Sequence, residues 1–140
     1  VVEDEEDVGR MMEAALTAAG YRVLRARSGI VALEAVRDHR NEIRLTLLDL
    51  VLPGLGGTEV YRLLRTLAPE VPVAFATARP DLAEAVAPNT SCLRKPFTEQ
   101  ELLDAVSEAI AIARESPQGR LERSRDSSVC SGPAPAARPV

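Results

Sequence analysis

Leu45-Thr46-Leu47-Leu48-Asp49-Leu50-Val51-Leu52-Pro53-Gly54 is the stretch that decides the fold. Its first four residues form a nearly continuous apolar run, as a parallel strand buried on both faces requires. Asp49 ends that strand with apolar residues on either side. A carboxylate there is costly unless a cation or hydrogen bonds compensate it. Pro53-Gly54-Leu55-Gly56-Gly57 follows as a loop. Other apolar segments also end on polar groups: Glu3-Asp4 after Val1-Val2, Thr77 after residues 73–76, and Lys95 just beyond residues 91–93. Parallel strands would bring these ends to one edge, which is where open α/β sheets bind ligands.

Working outward, strand and helix signals alternate. Val1-Val2 reads as the remnant of a truncated first strand. Val8, Met12, Leu16 and Ala19 recur at helical spacing, and Gly20 stops that helix. Residues 21–26 read as a second strand, and Ser28-Gly29 opens a helix that turns Ala32, Leu33 and Val36 inward. Val60, Leu63, Leu64 and Leu67 mark a third helix. A fourth strand over 73–76 leads to a short helix over 81–87, cut by Pro88. A short fifth strand over 91–93 precedes Thr98-Glu99-Gln100-Glu101, a capping box. The helix it starts carries Leu102, Leu103, Val106, Ile110 and Ala113. Five β-α units in succession imply a five-stranded parallel sheet with right-handed crossovers and helices on both faces.

Composition narrows the function. The 140 residues make one domain with enough apolar content for a core. A net charge of −4, no tryptophan and few aromatics give neither the basic footprint nor the stacking platform of direct nucleic-acid binding. No apolar run reaches membrane-spanning length and no signal peptide is visible, so a cytoplasmic location is expected. Cys92 and Cys130 share no metal-binding spacing and read as free thiols. Residues 116–140 carry four arginines against Glu122 and Asp126, a net +2 that leaves −6 for residues 1–115. This Ser/Pro/Arg-rich segment is nearly free of large apolar residues and is expected to be a disordered tail, too poor in core formers to make a DNA-binding helix-turn-helix.

The converging groups suggest a chemistry. Glu3, Asp4 and Asp49 in one site would repel one another and raise one another's pKa values. A hard divalent cation relieves this, and an oxygen-rich site suits Mg²⁺. Bound Mg²⁺ can hold a phosphoryl group against Asp49, and a carboxylate can act as nucleophile to form an acyl phosphate. Transition-state charge then spreads over phosphoryl oxygens, to be met by cations and donors. Lys95 is the one lysine among 17 basic residues. Its compact ammonium suits a single oxygen better than a guanidinium fork does. The Thr77 hydroxyl supplies a further donor.

Four motifs now stand together: Val1-Val2-Glu3-Asp4-Glu5; Leu48-Asp49-Leu50-Val51-Leu52-Pro53-Gly54 with Gly57; Ala76-Thr77-Ala78; and Lys95-Pro96-Phe97-Thr98. In this order and spanning almost all of residues 1–115, they resemble the receiver domain of bacterial two-component response regulators. The resemblance implies a flavodoxin-like (βα)5 fold. It implies that Asp49 accepts a phosphoryl group from a phosphohistidine of a histidine kinase or histidine phosphotransfer domain. Glu3, Asp4, Asp49 and the Val51 backbone carbonyl would hold Mg²⁺, Thr77 would hydrogen-bond the phosphoryl group and Lys95 would pair with it. The Lys95–Pro96 bond would be cis. Such a domain catalyses its own phosphorylation, acts on no external metabolite, and passes the signal to a further partner by changing conformation. Both a single-domain regulator and the C-terminal receiver of a hybrid kinase fit the sequence.

The chain departs from the family pattern in two places. Cys92 stands where the family carries an aromatic switch residue three positions before the lysine, and the segment from Thr77 to Lys95 is short, with Pro80, Pro88 and Asn89 crowding the fourth helix. Cys92 itself reads as a small buried apolar residue. Val51 and Arg79 lie two residues after Asp49 and Thr77, at positions that tune phosphate lifetime in the family. An apolar Val51 cannot orient an attacking water. Plainer readings remain for several residues: Glu5, Glu6 and Asp7 as helix N-terminal acids, His39 as a helix C-terminal cation or a residue without a role, and the glycines at 54, 56 and 57 as loop formers, because no Gly-Lys-Ser/Thr follows. Two rival functions use the same sheet. One is a phosphorylation-independent interaction module. The other is an aspartyl-phosphate hydrolase, which would want a second acid where Val51 stands.

Overall fold

The computed structural model describes residues 1–115. The tail expected over 116–140 lies outside the described residues. The elements run α1 (Glu6–Ala18), α2 (Gly29–His39), β1 (Thr46–Leu48), α3 (Gly57–Leu67), β2 (Val73–Thr77), α4 (Pro80–Val86), β3 (Cys92–Arg94) and α5 (Glu99–Glu115). β1, β2 and β3 pair in that order and in parallel, with Leu48 opposite Phe75 and Thr77 opposite Arg94. The two segments expected as the first strands join the same sheet through single parallel bridges, Val2 to Leu48 and Val2 to Ala26. The lateral order is therefore Ala26, Val2, β1, β2, β3, a five-segment parallel sheet in which three segments are full strands.

Alternation along the strands splits the core into two layers, as the pleat dictates. Leu48 and Phe75 face α2, α3 and α4, in a cluster with Val36, Val60, Leu64 and Ala83. Leu47, Ala74 and Ala76 face α1 and α5, in a cluster with Met12, Leu16, Leu102 and Val106. Both neighbours in Leu47-Leu48 are thus consumed by a core, which is why the strand reads as a solid apolar run. The Tyr61 ring packs on Phe75 with centroids 5.3 Å apart and planes tilted by 58°.

The helix ends follow their local chemistry. Gly20 takes φ +98° just past the α1 cap. Its N–H donates to Thr17 O and that of Tyr21 to Leu16 O, a Schellman closure that explains the stop. Ser28 caps α2 by accepting from the Val31 N–H. Thr98 and Glu101 exchange the two hydrogen bonds of a capping box at the start of α5.

Three expected inward residues lie outside. Ala19 is exposed because α1 has already capped there. Leu63 is 39% exposed, since Val60, Leu64 and Leu67 fill the buried stripe of α3 and leave it on the flank. Cys92 is exposed rather than buried. Its neighbour Leu93 packs toward α1 and α5, so Cys92 points to the opposite face of the terminal strand, where α4 has only seven residues. The fifth strand also sits one residue later than expected.

Phe75 is fully buried between helices and sheet. Phe75→Ala should cost about 3–5 kcal/mol of unfolding free energy, read as a lower urea midpoint with an unchanged slope. A loss below about 1 kcal/mol would contradict this packing.

Candidate functional site

The sheet brings the polar strand ends together. Val2 donates its N–H to Leu47 O at 2.7 Å and accepts from the Asp49 N–H at 3.1 Å, which sets Glu3 beside Asp49. At the other end of the cluster, the Lys95 N–H donates to Thr77 O at 3.0 Å, immediately beyond the β2–β3 ladder. The Lys95–Pro96 peptide is cis. The Lys95 ammonium donates to Asp49 Oδ2 at 2.8 Å and lies 2.5 Å from Glu3 Oε2. Glu3 and Asp49 are buried and Asp4 is half-buried. One carboxylate oxygen from each of Glu3, Asp4 and Asp49 lies within 4.8 Å of the others.

Each buried carboxylate is also held by its own backbone. Asp49 Oδ1 accepts from the Val51 N–H at 3.0 Å, and Glu3 Oε1 accepts from the Glu5 N–H at 3.2 Å. These short-range turns fix the direction of the acids. The remaining oxygen, Glu3 Oε2, is buried and has the Lys95 ammonium, 2.5 Å away, as its partner. Burial pushes the Glu3 carboxyl above its ordinary range. The hydrogen bond and charge of Lys95 and the Glu5 N–H pull it back only in part, and the Asp49 charge adds to the rise. Burial works against the Lys95 ammonium too, but Asp49 and Glu3 outweigh it and hold its pKa above the usual lysine value.

Three carboxylates against one ammonium leave two negative charges when all are ionised. Three clustered carboxylates with an excess of two negative charges are what a hard divalent ion would correct, so the donor set fits Mg²⁺ chemically. The structure thus supplies an acidic pocket able to hold a metal, with an ammonium at its wall.

Thr77 ends β2 and is fully buried. Its Oγ1 accepts from the Arg79 N–H at 3.1 Å, which leaves the hydroxyl proton available to another acceptor. Arg79 itself forks onto Asp81, at 3.0 and 2.8 Å. The Val51 side chain is about half-exposed, and the N–H of that residue is the group that meets Asp49. That amide contact was not foreseen from the sequence, because a backbone donor leaves no residue-type signal. His39 lies in the last turn of α2, with Nδ1 3.3 Å from Glu42 Oε2, outside this pocket.

Comparison with known proteins identifies the family. Residues 1–107 match the response regulator receiver domain family, and the chain belongs to it. The chain is 41% identical over 106 residues to the uncharacterized transcriptional regulatory protein YrkP of Bacillus subtilis (strain 168), covering 73% of this chain and 44% of that protein. It is 35% identical over 107 residues to the response regulator MprA of Mycobacterium sp. (strain KMS), covering 74% of this chain and 46% of that protein. The chain therefore spans less than half the length of these curated relatives. A crystal structure of a response regulator receiver domain protein from Clostridium thermocellum superposes with a TM-score of 0.73 at 26% identity, covering 81% of this chain and 93% of that one. The protein is thus a receiver domain of the response regulators, a family of signalling proteins. Among the described residues no helix is long and apolar enough to cross a membrane.

Burial makes ionised Glu3 unfavourable in the metal-free fold, and a neutral amide of the same shape removes that penalty. Glu3→Gln should therefore raise the metal-free melting temperature by a few degrees, and added Mg²⁺ should raise it further in the wild type than in the variant. Scanning calorimetry with and without Mg²⁺ reads both. A lower metal-free midpoint in Glu3→Gln would mean that the ion pair with Lys95 outweighs the cost of burial.

Proposed function

We propose that this domain is a phosphorylatable switch in which Asp49 accepts a phosphoryl group from the phosphohistidine of a histidine kinase or a histidine phosphotransfer domain. The observation that carries this reading is Lys95 Nζ lying 2.8 Å from Asp49 Oδ2 inside a pocket shared with Glu3 and Asp4. An Asp49 oxygen attacks phosphorus, a P–O bond forms, and the P–N bond breaks with its electron pair returning to the imidazole. The product is an acyl phosphate on Asp49. Mg²⁺, held by Glu3, Asp4, Asp49 and the Val51 backbone carbonyl, would supply charge neutralisation and in-line orientation when bound. Lys95 swings its ammonium from the carboxylate onto a phosphoryl oxygen, and the Thr77 hydroxyl donates to another.

In this reading the new contacts of Thr77 and Lys95 favour one of two pre-existing conformations, which passes the signal to a downstream partner. The domain turns over no external metabolite and works in the cytoplasm. Residues 1–115 form the receiver and 116–140 a disordered tail, and this chain makes no direct contact with nucleic acid. Val51 speaks against the aspartyl-phosphate hydrolase, because a second acid is wanted at its place. The acid, hydroxyl and ammonium set speaks against an interaction module that ignores phosphorylation.

Incubation with a small phosphodonor should label the wild type only when Mg²⁺ is present, and Asp49→Asn should abolish the label. Label that persists in Asp49→Asn would remove Asp49 from the role. The phosphoryl group should be long-lived without a phosphatase, because a half-exposed valine cannot orient a water. Val51→Asn should shorten its half-life, measured by acid-stable label decay, and an equally fast loss from the wild type would refute the idea.

A further inference from the structure

Gly57, the first residue of α3, sits directly against the peptide that follows Asp49. A Cβ at this position would overlap Asp49 O, Leu50 Cα and Leu50 C, all backbone atoms that cannot rotate aside. The Gly57 N–H also donates to Leu50 O at 3.2 Å. One residue earlier, a Cβ on Gly56 would enter open space. Gly56 has φ −65° and ψ 154°, which any residue adopts. The two adjacent glycines therefore differ: one ends a loop, and the other is a point of contact between helix and pocket.

We infer that Gly57 is a positioning residue for the acidic pocket. Its missing side chain lets α3 press on the Asp49–Leu50 backbone and so fixes the turn in which the Val51 N–H aims the Asp49 carboxylate. The inference rests on Asp49 serving as metal ligand and phosphoacceptor. The route is short and made of direct contacts: Gly57 against Asp49 O and Leu50, then the Val51 N–H on Asp49 Oδ1 at 3.0 Å. An added methyl group must push the backbone of residues 49 and 50 away from α3. The Val51 amide then loses its alignment with Oδ1, and the carboxylate leaves the place where it meets Glu3, Asp4 and Lys95. Val60, one turn further along the same flank, seats the helix on α2, because its Cγ2 fills the space that a Cβ on Gly29 would need. Two close contacts on one flank thus seat α3 on both α2 and the Asp49 peptide, and an added methyl group at residue 57 must disturb that seating.

The test compares Gly57→Ala and Gly56→Ala with the wild type in the full chain. Hydrogen exchange of the Val51 amide, followed by NMR in metal-free protein, reads the turn. Calorimetric titration with Mg²⁺ alone reads the pocket. Gly57→Ala should speed Val51 exchange relative to neighbouring amides and weaken Mg²⁺ binding, each by at least about tenfold, while Gly56→Ala stays within about twofold of the wild type. Gly57→Ala within twofold on both readouts overturns the inference, as does an equal effect of Gly56→Ala. Should Gly57→Ala fail to fold, Mg²⁺ titration of the wild type decides: the Gly57 amide resonance should move with the same midpoint as Leu50 and Val51, and a stationary Gly57 overturns the inference. A wild type that binds no Mg²⁺, with Val51 exchange still accelerated in Gly57→Ala, overturns the proposed function and leaves the positioning role standing.

Discussion

The contact of one ammonium with two buried carboxylates organises this molecule. Lys95 meets Asp49 across 46 positions of sequence and also touches Glu3, near the start of the chain. Neither acid could stay buried alone, since an unpaired charge in the interior costs several kcal/mol, of order 3–5 when one partner is removed. The sheet must therefore deliver the ends of the Val2 segment, β1 and β3 to one place. The pairing leaves the pocket short of cations, with the third acid, Asp4, half-buried at its rim. With all three acids ionised, the site carries two surplus negative charges, which favour a divalent ion and oppose a dianionic phosphoryl group. That order of preference follows from charge alone, before any partner is considered.

The rest of the fold serves this convergence. Solid apolar runs such as Leu45 to Leu48 can end in a carboxylate only at a sheet edge, because both faces are already covered by helices. The two core layers hold β1 rigidly, with Leu47 on one side and Leu48 on the other. Backbone donors at Glu5 and Val51 then orient the acids at little entropic cost, because each lies only two residues from the carboxylate it binds.

Much of this was legible in the sequence. The alternation of apolar runs and helical stripes gives the βα order, Gly20 and Thr98 mark real helix boundaries, and the polar groups after each run point to one edge. The groups that could be foreseen, Glu3, Asp4, Asp49 and Lys95, are charged residues in apolar surroundings, where their cost makes them conspicuous. What could not be read has a common cause, which is dependence on neighbours absent from the local pattern. Val2 and Ala26 join the sheet through single bridges, a pairing between distant segments that no local pattern displays. Leu63 and Ala19 fit a helical stripe yet face outward, since a stripe fixes direction only to within about one residue's turn of 100°. Cys92 is small and apolar, but it lies on a terminal strand beside a seven-residue helix that leaves it uncovered. The weight of Gly57 was hidden for the same reason: its sequence neighbours make it a loop former, and its spatial neighbours make it a wedge.

The exposed Cys92 bears on how a change at the pocket reaches the surface. A small thiol pointing into solvent cannot fill and empty a cavity as a swinging aromatic ring would. The side chain of Thr77 offers a shorter route. Its Oγ1 already accepts from the N–H of Arg79, the residue that caps α4. Under the proposed chemistry, a hydroxyl that turns toward a phosphoryl oxygen must adjust or give up that bond, and the strain falls on the first turn of α4. With seven residues and no side-chain cap of its own, α4 has little internal resistance to such a shift. The Arg79–Asp81 fork spans this same turn, with Arg79 about half-exposed. An exposed pair of this kind contributes little to holding the turn in place, so the response of α4 is set by the Thr77 hydrogen bond and by the packing of Ala83 and Ala87 on the sheet.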